Sequence, residues 1–102
     1  MEFWGIWCAP CIKKIPFIQN LANQYSDKVN FISLNARDEK TEVKRFVKEH
    51  NMFWYQGYSS DEIEYLFDIQ GLPKGAFFDP EGNLISYTTT VPDLVSLLEQ
   101  LD

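Results

Sequence analysis

The sequence predicts an α/β protein in which a mixed central sheet of about five strands is flanked by helices on both faces. Short apolar segments alternate with segments of helical periodicity along the 102 residues, an order typical of strand–helix–strand units. The segment from Val29 to Ala36 is dense in apolar residues, as expected for a parallel strand covered on both faces. A chain of this length forms one domain, and its 45% of apolar residues can fill a core.

These patterns predict five strands and four helices. The strands are expected at residues 2–6, 29–36, 52–58, 75–78 and 84–89, and the helices at residues 9–25, 39–50, 59–67 and from 90 onward. Strand 2–6 is expected at the centre, with strands 29–36 and 52–58 on one side in parallel and the last two strands on the other. Pro16 should kink the first helix, because proline lacks a backbone donor.

Polar residues mark the starts of three predicted helices. Asp38 is the expected N-cap of helix 39–50. Ser59 and Glu62 form a capping box for the short third helix, and Thr90 with Asp93 caps the last one. A turn over Asp79–Asn83 joins the last two strands. The expected inward-facing residues of the second and last helices are Val43, Phe46, Val47, His50, Leu94, Leu97, Leu98 and Leu101.

The two cysteines of the chain, Cys8 and Cys11, form a C-x-x-C pair at the start of the first predicted helix. This spacing allows one thiolate to attack a disulfide in another molecule while the second thiol resolves the mixed disulfide. Free N–H groups and the positive end of the helix dipole both favour thiolate over thiol. Such motifs lower a cysteine pKa to about 3.5–7.5 from about 8.5.

Two other interpretations of the cysteine pair stay open. Half of a zinc site is one, although tetrahedral zinc needs four ligands, and here only His50 and carboxylates remain to complete the set. A purely structural disulfide is the other, although so short a loop yields little closure entropy. Redox chemistry is the interpretation that the spacing favours.

Charge and hydropathy exclude several partners. The net charge of −6 and a pI near 4.6 argue against nucleic acid or an anionic membrane surface as a partner. No apolar run reaches the roughly 18–20 residues of a membrane span, and no signal peptide is evident. Because the chain begins inside a predicted strand, we expect the native protein to extend further toward its N-terminus.

Three motifs in order resemble the thioredoxin-like superfamily. Residues 2–11, Glu-Phe-Trp-Gly-Ile-Trp-Cys-Ala-Pro-Cys, resemble the active-site segment of thioredoxins. Pro16 is similar in position to the proline that kinks the family's active-site helix. Gly71-Leu72-Pro73, followed by a strand, resembles the cis-proline loop. The resemblance runs nearly end to end and implies a thioredoxin-like fold.

Further segments resemble the TlpA-like branch of that superfamily. Residues 37–58 exceed what a minimal thioredoxin needs and are similar to that branch's helix–strand insertion, and residues 68–73 and 77–82 also resemble it. Proteins of that branch are exported and often membrane-tethered, so the resemblance implies an extracytoplasmic, periplasmic protein with a membrane tether in the full-length form as one option, while a cytoplasmic location stays open. Two departures are Lys74, where threonine is common, and Glu2, which replaces asparagine and matches the buried acid of cytosolic thioredoxins.

The function implied by the resemblance is that of a thiol–disulfide oxidoreductase that reduces protein disulfides. Cys8 attacks, Cys11 resolves, and electrons arrive from an upstream protein donor. No metal, flavin or nucleotide cofactor is implied, and we expect a monomer. Two alternatives stay open: an oxidase or isomerase that uses the same residues, and a thioredoxin-fold binding module whose disulfide is inert.

The resemblance also assigns roles to residues around the cysteines. Glu2 is expected beneath the disulfide, where burial raises its pKa and it can take the Cys11 proton. An exposed position on a frayed terminus is the alternative. Leu72 and Pro73 are expected to offer backbone groups to an extended substrate, and Trp7 either touches the substrate or only shields the disulfide.

Several residues near the site have ordinary expected roles. Cys8 is expected to be more exposed and more acidic than Cys11. Lys13 and Lys14 are expected to be solvated, although they could tune the redox potential, and His50 is not assigned to catalysis.

Overall fold

The computed structural model describes residues 1–66, 74–87 and 90–101. Within them the chain forms five strands and four helices, as predicted; strands and helices alternate except that the last two strands follow one another directly. The elements are β1 (Glu2–Trp4), α1 (Ala9–Tyr25), β2 (Ile32–Asn35), α2 (Lys40–Glu49), β3 (Tyr55–Tyr58), α3 (Asp61–Leu66), β4 (Lys74–Phe78), β5 (Leu84–Tyr87) and α4 (Val91–Glu99).

The five strands form one mixed sheet in the order β3-β2-β1-β4-β5. β1 and β2 are parallel, with Glu2 opposite Ser33, and β2 and β3 are parallel. β4 runs antiparallel to β1, and β5 is antiparallel to β4. The predicted strand order is confirmed, with β3 at one edge of the sheet. The carboxyl ends of β1 and β2 therefore lie side by side, where open α/β sheets place their sites.

The central strand is covered on both of its faces. Phe3 and Trp4 point to opposite faces, because side chains alternate along a strand, and they expose 0% and 1% of their surface. Trp4 belongs to a buried cluster that draws on α1, α2 and the segment before β3. Its other members are Cys8, Cys11, Ile15, Ile18, Ala22, Val43, Met52 and Trp54.

Helix α1 covers the sheet with the apolar face predicted from its periodicity. Ile15, Ile18 and Ala22 are buried on this face, and Leu94 of α4 packs against the same cluster. The helix continues through Pro16 without ending. Cys8 caps this helix and Cys11 lies in its first turn, so the packing of α1 on the sheet determines where both cysteines lie.

The start and the end of α2 differ from the prediction. Glu39, and not Asp38, is the N-cap, and its side chain makes no capping hydrogen bond. The Asp38 carboxylate instead accepts a hydrogen bond from the N–H of Ile6, in the loop between β1 and α1. His50 is exposed rather than inward-facing. Its ring stacks on Phe46 with the ring centroids 3.8 Å apart, and His50 is the C-cap residue just past the end of α2.

The predicted caps of the last two helices are only partly right. The α3 cap is Ser60, whose Oγ accepts from Ile63 N–H at 3.2 Å, one residue later than predicted. Thr90 caps α4 as predicted, since its Oγ1 accepts from Asp93 N–H at 3.2 Å. Leu98 is fully buried, whereas Leu101 is 36% exposed, because α4 ends before it.

Candidate active site

The two cysteines form a disulfide at the point where β1 passes into α1. Their Cα atoms lie 5.3 Å apart. Residues 5–7 connect the strand to the helix, and Cys8 N–H donates to Gly5 O at 3.1 Å to close this connection as a turn. The pair therefore lies at the carboxyl end of the central strand and at the N-terminus of a 17-residue helix.

Cys8 is the N-cap of α1. Its Sγ accepts a hydrogen bond from the Cys11 backbone N–H at 3.3 Å, and its carbonyl accepts from Ile12 N–H at 3.1 Å. The first turn of α1 contains no acidic residue, so no neighbouring carboxylate cancels the positive end of the helix dipole there. A donor aimed at the sulfur and an uncompensated dipole both stabilise a thiolate at Cys8 once the disulfide is reduced.

Both sulfur residues are largely enclosed. Cys8 exposes 5% of its surface and Cys11 exposes 2%, and both belong to the buried cluster around Trp4. The order of exposure agrees with the expected order of attack, but the difference is small. The division of roles between the two cysteines stays a prediction.

Trp7 forms an exposed platform beside Cys8. It exposes 53% of its surface, and its Nε1–H donates to the Ala36 carbonyl at 3.1 Å. The indole lies directly on Gly5, where an added Cβ would come within 2.6 Å of Trp7 Cε2. The Arg37 guanidinium lies 6.0 Å from the ring centroid. The ring is therefore fixed in place although much of it faces solvent.

The loop that follows β2 anchors the active-site loop of residues 5–7 through Asp38, which was predicted only as a helix cap. Asp38 Oδ2 accepts from Ile6 N–H at 2.8 Å and from Asn35 Nδ2 at 2.8 Å. Asp38 N–H in turn donates to Asn35 Oδ1 at 3.2 Å. Asn35 is 2% exposed. A buried asparagine at the end of an apolar strand is the sequence signal that could have indicated this network.

Arg37 lies between these two anchors in a left-handed conformation, with φ of 73°. Residues other than glycine seldom adopt this region, because it costs conformational energy. The Arg37 side chain pairs with Glu64 of α3 at 3.1 Å. The turn brings the Ala36 carbonyl to Trp7 and the Asp38 carboxylate to Ile6, so the strained residue serves two contacts with the site.

Glu2 is paired with Lys14 on the α1 side of the sheet. Glu2 Oε2 lies 3.3 Å from Lys14 Nζ, and each side chain exposes 13% of its surface. Glu2 points to the same face of β1 as Trp4, which shares a cluster with Cys11. Glu2 is thus not exposed on a frayed terminus, and the prediction that Lys14 is simply solvated is wrong.

Burial dominates the ionisation of Glu2. It raises the pKa of Glu2 above its ordinary value of 4.5, while the nearby Lys14 ammonium lowers it. A carboxyl with a raised pKa is a better proton acceptor than an exposed one at neutral pH. This is the condition expected of a group that exchanges a proton with a thiol.

Other predicted site features lie elsewhere. Leu72 and Pro73 fall outside the described residues, so the predicted cis-proline loop stays a prediction. Across the described parts of the chain, no three His, Cys, Asp or Glu side chains are grouped so that they could hold a metal ion. None of the described helices has both the length and the hydropathy needed to cross a bilayer.

Known proteins that resemble this chain are thiol-disulfide oxidoreductases and thioredoxin-like proteins, as the cysteine pair at the helix start would suggest. The profile of the Redoxin family matches residues 2–100. The chain belongs to the Redoxin family. The thiol-disulfide oxidoreductase ResA of Bacillus thuringiensis subsp. konkukian (strain 97-27) is 33% identical over 87 residues, which cover 83% of this chain and 50% of the relative. The thioredoxin-like chloroplastic protein HCF164 of Arabidopsis thaliana is 35% identical over 83 residues, which cover 81% of this chain and 24% of that protein.

Solved structures share the fold over nearly the whole chain. The thioredoxin domain of a thiol-disulfide oxidoreductase from Bacteroides vulgatus superposes with a TM-score of 0.87 at 22% identity, over 97% of this chain and 74% of that one. A secreted disulfide oxidoreductase of Mycobacterium tuberculosis gives a TM-score of 0.81 at 19% identity, over 98% of this chain and 78% of that one. At these identities the structures establish the fold alone.

These findings confirm the predicted thioredoxin-like superfamily and its TlpA-like branch. The relatives also carry the predicted activity class, thiol–disulfide oxidoreductase. The chain spans about half the length of the ResA relatives that it matches.

Proposed function

We propose that this chain is a thiol–disulfide oxidoreductase that reduces protein disulfides by exchange through Cys8 and Cys11. The observation that carries the proposal is the disulfide at the N-terminus of α1, with Cys8 as the cap of the helix and its sulfur accepting the Cys11 N–H. This arrangement stabilises the thiolate that starts an exchange and places the second cysteine one turn away to complete it.

The exchange consists of two displacements. In the first, the Cys8 thiolate attacks a substrate disulfide, the substrate S–S bond breaks, and one substrate thiolate leaves and takes a proton from solvent. In the second, the Cys11 thiolate attacks Cys8 Sγ, the Cys8–Cys11 bond forms, and the other substrate thiolate leaves. Two electrons pass from the chain to the substrate. A dithiol protein upstream returns them.

Glu2 accepts the Cys11 proton before the second displacement. The carboxylate lies on the α1 side of the sheet. Burial raises its pKa, so the pKa of the carboxyl lies closer to that of a thiol and proton transfer from the thiol becomes easier. After the Cys8–Cys11 disulfide has formed, Glu2 loses the proton to solvent. Its role is that of a general base in the resolving step.

The surface around Cys8 receives the substrate. Trp7 offers an exposed apolar face next to Cys8, and rigid aromatic side chains give contact area at low entropic cost. Leu72 and Pro73 would pair with the backbone of an extended substrate segment as a short added strand. The partners are a disulfide-containing protein and a protein electron donor. We place the chain outside the cytoplasm, as a monomer.

A reduction assay with insulin and dithiothreitol tests the proposal. The wild-type chain should accelerate reduction, and Cys8→Ser should lower the rate by roughly three orders of magnitude, because the attacking atom is lost. Cys11→Ser should accumulate a mixed disulfide through Cys8, visible by mass spectrometry. Absence of any acceleration by the wild type would instead support an inert binding module.

The reduction potential decides the direction of transfer. Equilibration with glutathione should give a reduction potential close to that of known disulfide reductases. For this two-electron exchange, a difference of about 30 mV corresponds to about 1.4 kcal/mol. A potential near that of strong oxidants would assign the same residues to an oxidase or isomerase.

A further inference from the structure

Arg37 has a backbone conformation that arginine seldom adopts. Its φ of 73° lies in the left-handed region, which glycine enters freely and asparagine enters more readily than most residues. A residue held in this region costs conformational energy, and such residues concentrate at functional sites. Glycine could make the same turn without that cost, so the reason for an arginine here should lie in its side chain.

The Arg37 side chain connects the active-site loop to α3. Its guanidinium carbon lies 6.0 Å from the centroid of the Trp7 ring, and its Nη2 donates to Oε1 of Glu64 at 3.1 Å. A planar guanidinium can lie against an aromatic ring and bind a carboxylate at the same time. Glu64 therefore holds the guanidinium at the Trp7 ring from the side of α3.

The two partners of this ion pair differ in exposure. The Arg37 side chain exposes 68% of its surface, and that of Glu64 exposes 12%. An ion pair with an exposed partner adds little to stability, because water and salt screen it and ordering a long side chain costs entropy. The more enclosed carboxylate is the fixed end of the pair, so the main effect of the pair is to determine where the guanidinium lies.

Two other contacts hold the Trp7 ring near its nitrogen. Nε1–H donates to the Ala36 carbonyl at 3.1 Å, and the ring atoms closest to Gly5 are Nε1, Cε2 and Cδ1 of the same five-membered ring. Trp7 as a whole exposes 53% of its surface. A ring held only near its nitrogen could still rock about that point, and the Arg37 guanidinium supplies a further contact that limits this motion.

We propose that Arg37 is a positioning residue for protein substrates: anchored by Glu64, it holds the Trp7 ring in the orientation that receives the chain flanking a substrate disulfide. This inference rests on the proposed function, since it assumes that protein disulfides dock beside Cys8. Arg37 takes no part in the transfer of electrons or protons. It acts through Trp7, and therefore on how tightly a protein substrate binds.

Steady-state kinetics with two kinds of disulfide test the proposal. Arg37→Asn removes the guanidinium and keeps a residue that tolerates the left-handed turn. This variant should raise the KM for insulin roughly two- to fivefold, the factor that corresponds to a cation–π contact at an exposed site, and leave kcat unchanged. Its rate with a small aliphatic disulfide, which is too short to lie along the Trp7 ring, should equal that of the wild type.

Matched variants separate this role from a general effect of charge. Arg45→Asn removes an exposed arginine of α2 and should leave the kinetics with both substrates unchanged. Glu64→Gln should raise the KM for insulin as Arg37→Asn does, and the double variant should be no worse than Arg37→Asn alone, because the two residues act as a unit. An unchanged KM for insulin in Arg37→Asn would overturn the proposal, as would an equal loss with the small disulfide.

An NMR measurement covers the case in which Arg37→Asn does not fold. Glu64→Gln should shift the Trp7 indole Nε1–H resonance, because the guanidinium that Glu64 holds beside the ring is released. The Trp54 indole, whose Nε1–H donates to Ser33 Oγ at 2.8 Å, should keep its resonance. An unchanged Trp7 resonance would also overturn the proposal. A wild-type chain that fails to reduce insulin would refute the proposed function itself, and the resonance can be measured whether or not the chain is active, so the two failures are distinguishable.

Discussion

The outer and the inner halves of the active site are held by different forces. Around Cys8, hydrogen bonds hold the site in place: the Trp7 side chain donates to the Ala36 carbonyl, and the Ile6 N–H donates to the Asp38 carboxylate. One turn after Cys11 along α1, the site is held by the ion pair of Glu2 and Lys14.

The difference separates shape from chemistry. The hydrogen bonds of the outer half hold the backbone of residue 6 and the ring of Trp7 in place, so the outer half presents a defined surface to a substrate. The inner half contains a carboxyl with a raised pKa, so its charge changes with pH and with the state of its neighbours. We expect outer-half variants to change stability and substrate affinity, and inner-half variants to change pH dependence.

Asp38→Ala should have the largest effect on stability. It removes the acceptor of Ile6 N–H and of Asn35 Nδ2. Leaving these two partly buried donors without an acceptor should lower the free energy of unfolding by about 2–4 kcal/mol in total. Denaturant unfolding of the oxidised chain measures the loss. Asp27→Ala, at an exposed aspartate, should cost far less, and equal losses for the two variants would show that the anchor does not contribute.

Gly5→Ala should have the next largest effect, because the new Cβ would collide with the Trp7 indole. Overpacking of this kind costs about 1–3 kcal/mol, and the displaced ring should raise the KM for a protein disulfide. Gly57→Ala is the control, since its Cβ would lie 2.8 Å from Leu34 Cδ2, at a similarly crowded position on the edge strand. A KM change of equal size in both variants would show that the position of Trp7 does not contribute to substrate binding.

Glu2→Gln should alter how stability depends on pH. Because the folded pKa of Glu2 lies above its ordinary value of 4.5, its contribution to stability is fully present below pH 4.5 and is lost as pH rises through the folded pKa. The free energy of unfolding of the oxidised wild type should therefore fall with pH in that window relative to Glu2→Gln. The exposed Glu49→Gln should follow the wild type, and parallel curves for all three chains would contradict the raised pKa.

Asp79→Asn should have the smallest effect and the opposite sign. Hydrogen bonds from the backbone of Asn83, together with those from Glu81 and Gly82, lower the pKa of Asp79 below 3.8. Its contribution is present above pH 3.8 and is lost as pH falls through the folded value. Acid unfolding of the variant should be less steep than that of the wild type. The Asp79 carboxylate, like that of Asp38, accepts hydrogen bonds from N–H groups, but it lies at the surface. Comparing the two variants therefore shows how much burial adds to the stability that such hydrogen bonds provide.

Much of the fold follows from local patterns in the sequence. The 17 residues of α1 match the predicted helix at both ends, because one apolar face and a sharp change of composition define it. Strand ends were less predictable: β1 ends at Trp4, and not at residue 6, because the chain must turn to place Trp7 on Gly5. That requirement is a contact between side chain and backbone, which periodicity does not encode.

The site was predictable where motif and element coincide, and less so where it depends on contacts across the sheet. The position of the cysteines at the helix start follows from the short apolar run before them and the helical periodicity that begins with them. The partner of Asp38 could not be derived, because a residue that precedes a helix is an ordinary cap by its sequence, and its choice of Ile6 depends on β1 and β2 being adjacent. The pairing of Lys14 with Glu2 depends on the same tertiary arrangement.

The turn at residues 36–38 has a consequence for how the segment that follows it can be exchanged between relatives. The segment over residues 37–58, which we predict to be an insertion, ends in the edge strand β3, yet its first two residues contact the active-site loop through Asp38 and the Trp7 ring through Arg37. A chimaera joined before Arg37 would replace part of the candidate site along with the edge strand. A junction placed after Asp38 would exchange the periphery and keep the centre of this chain intact.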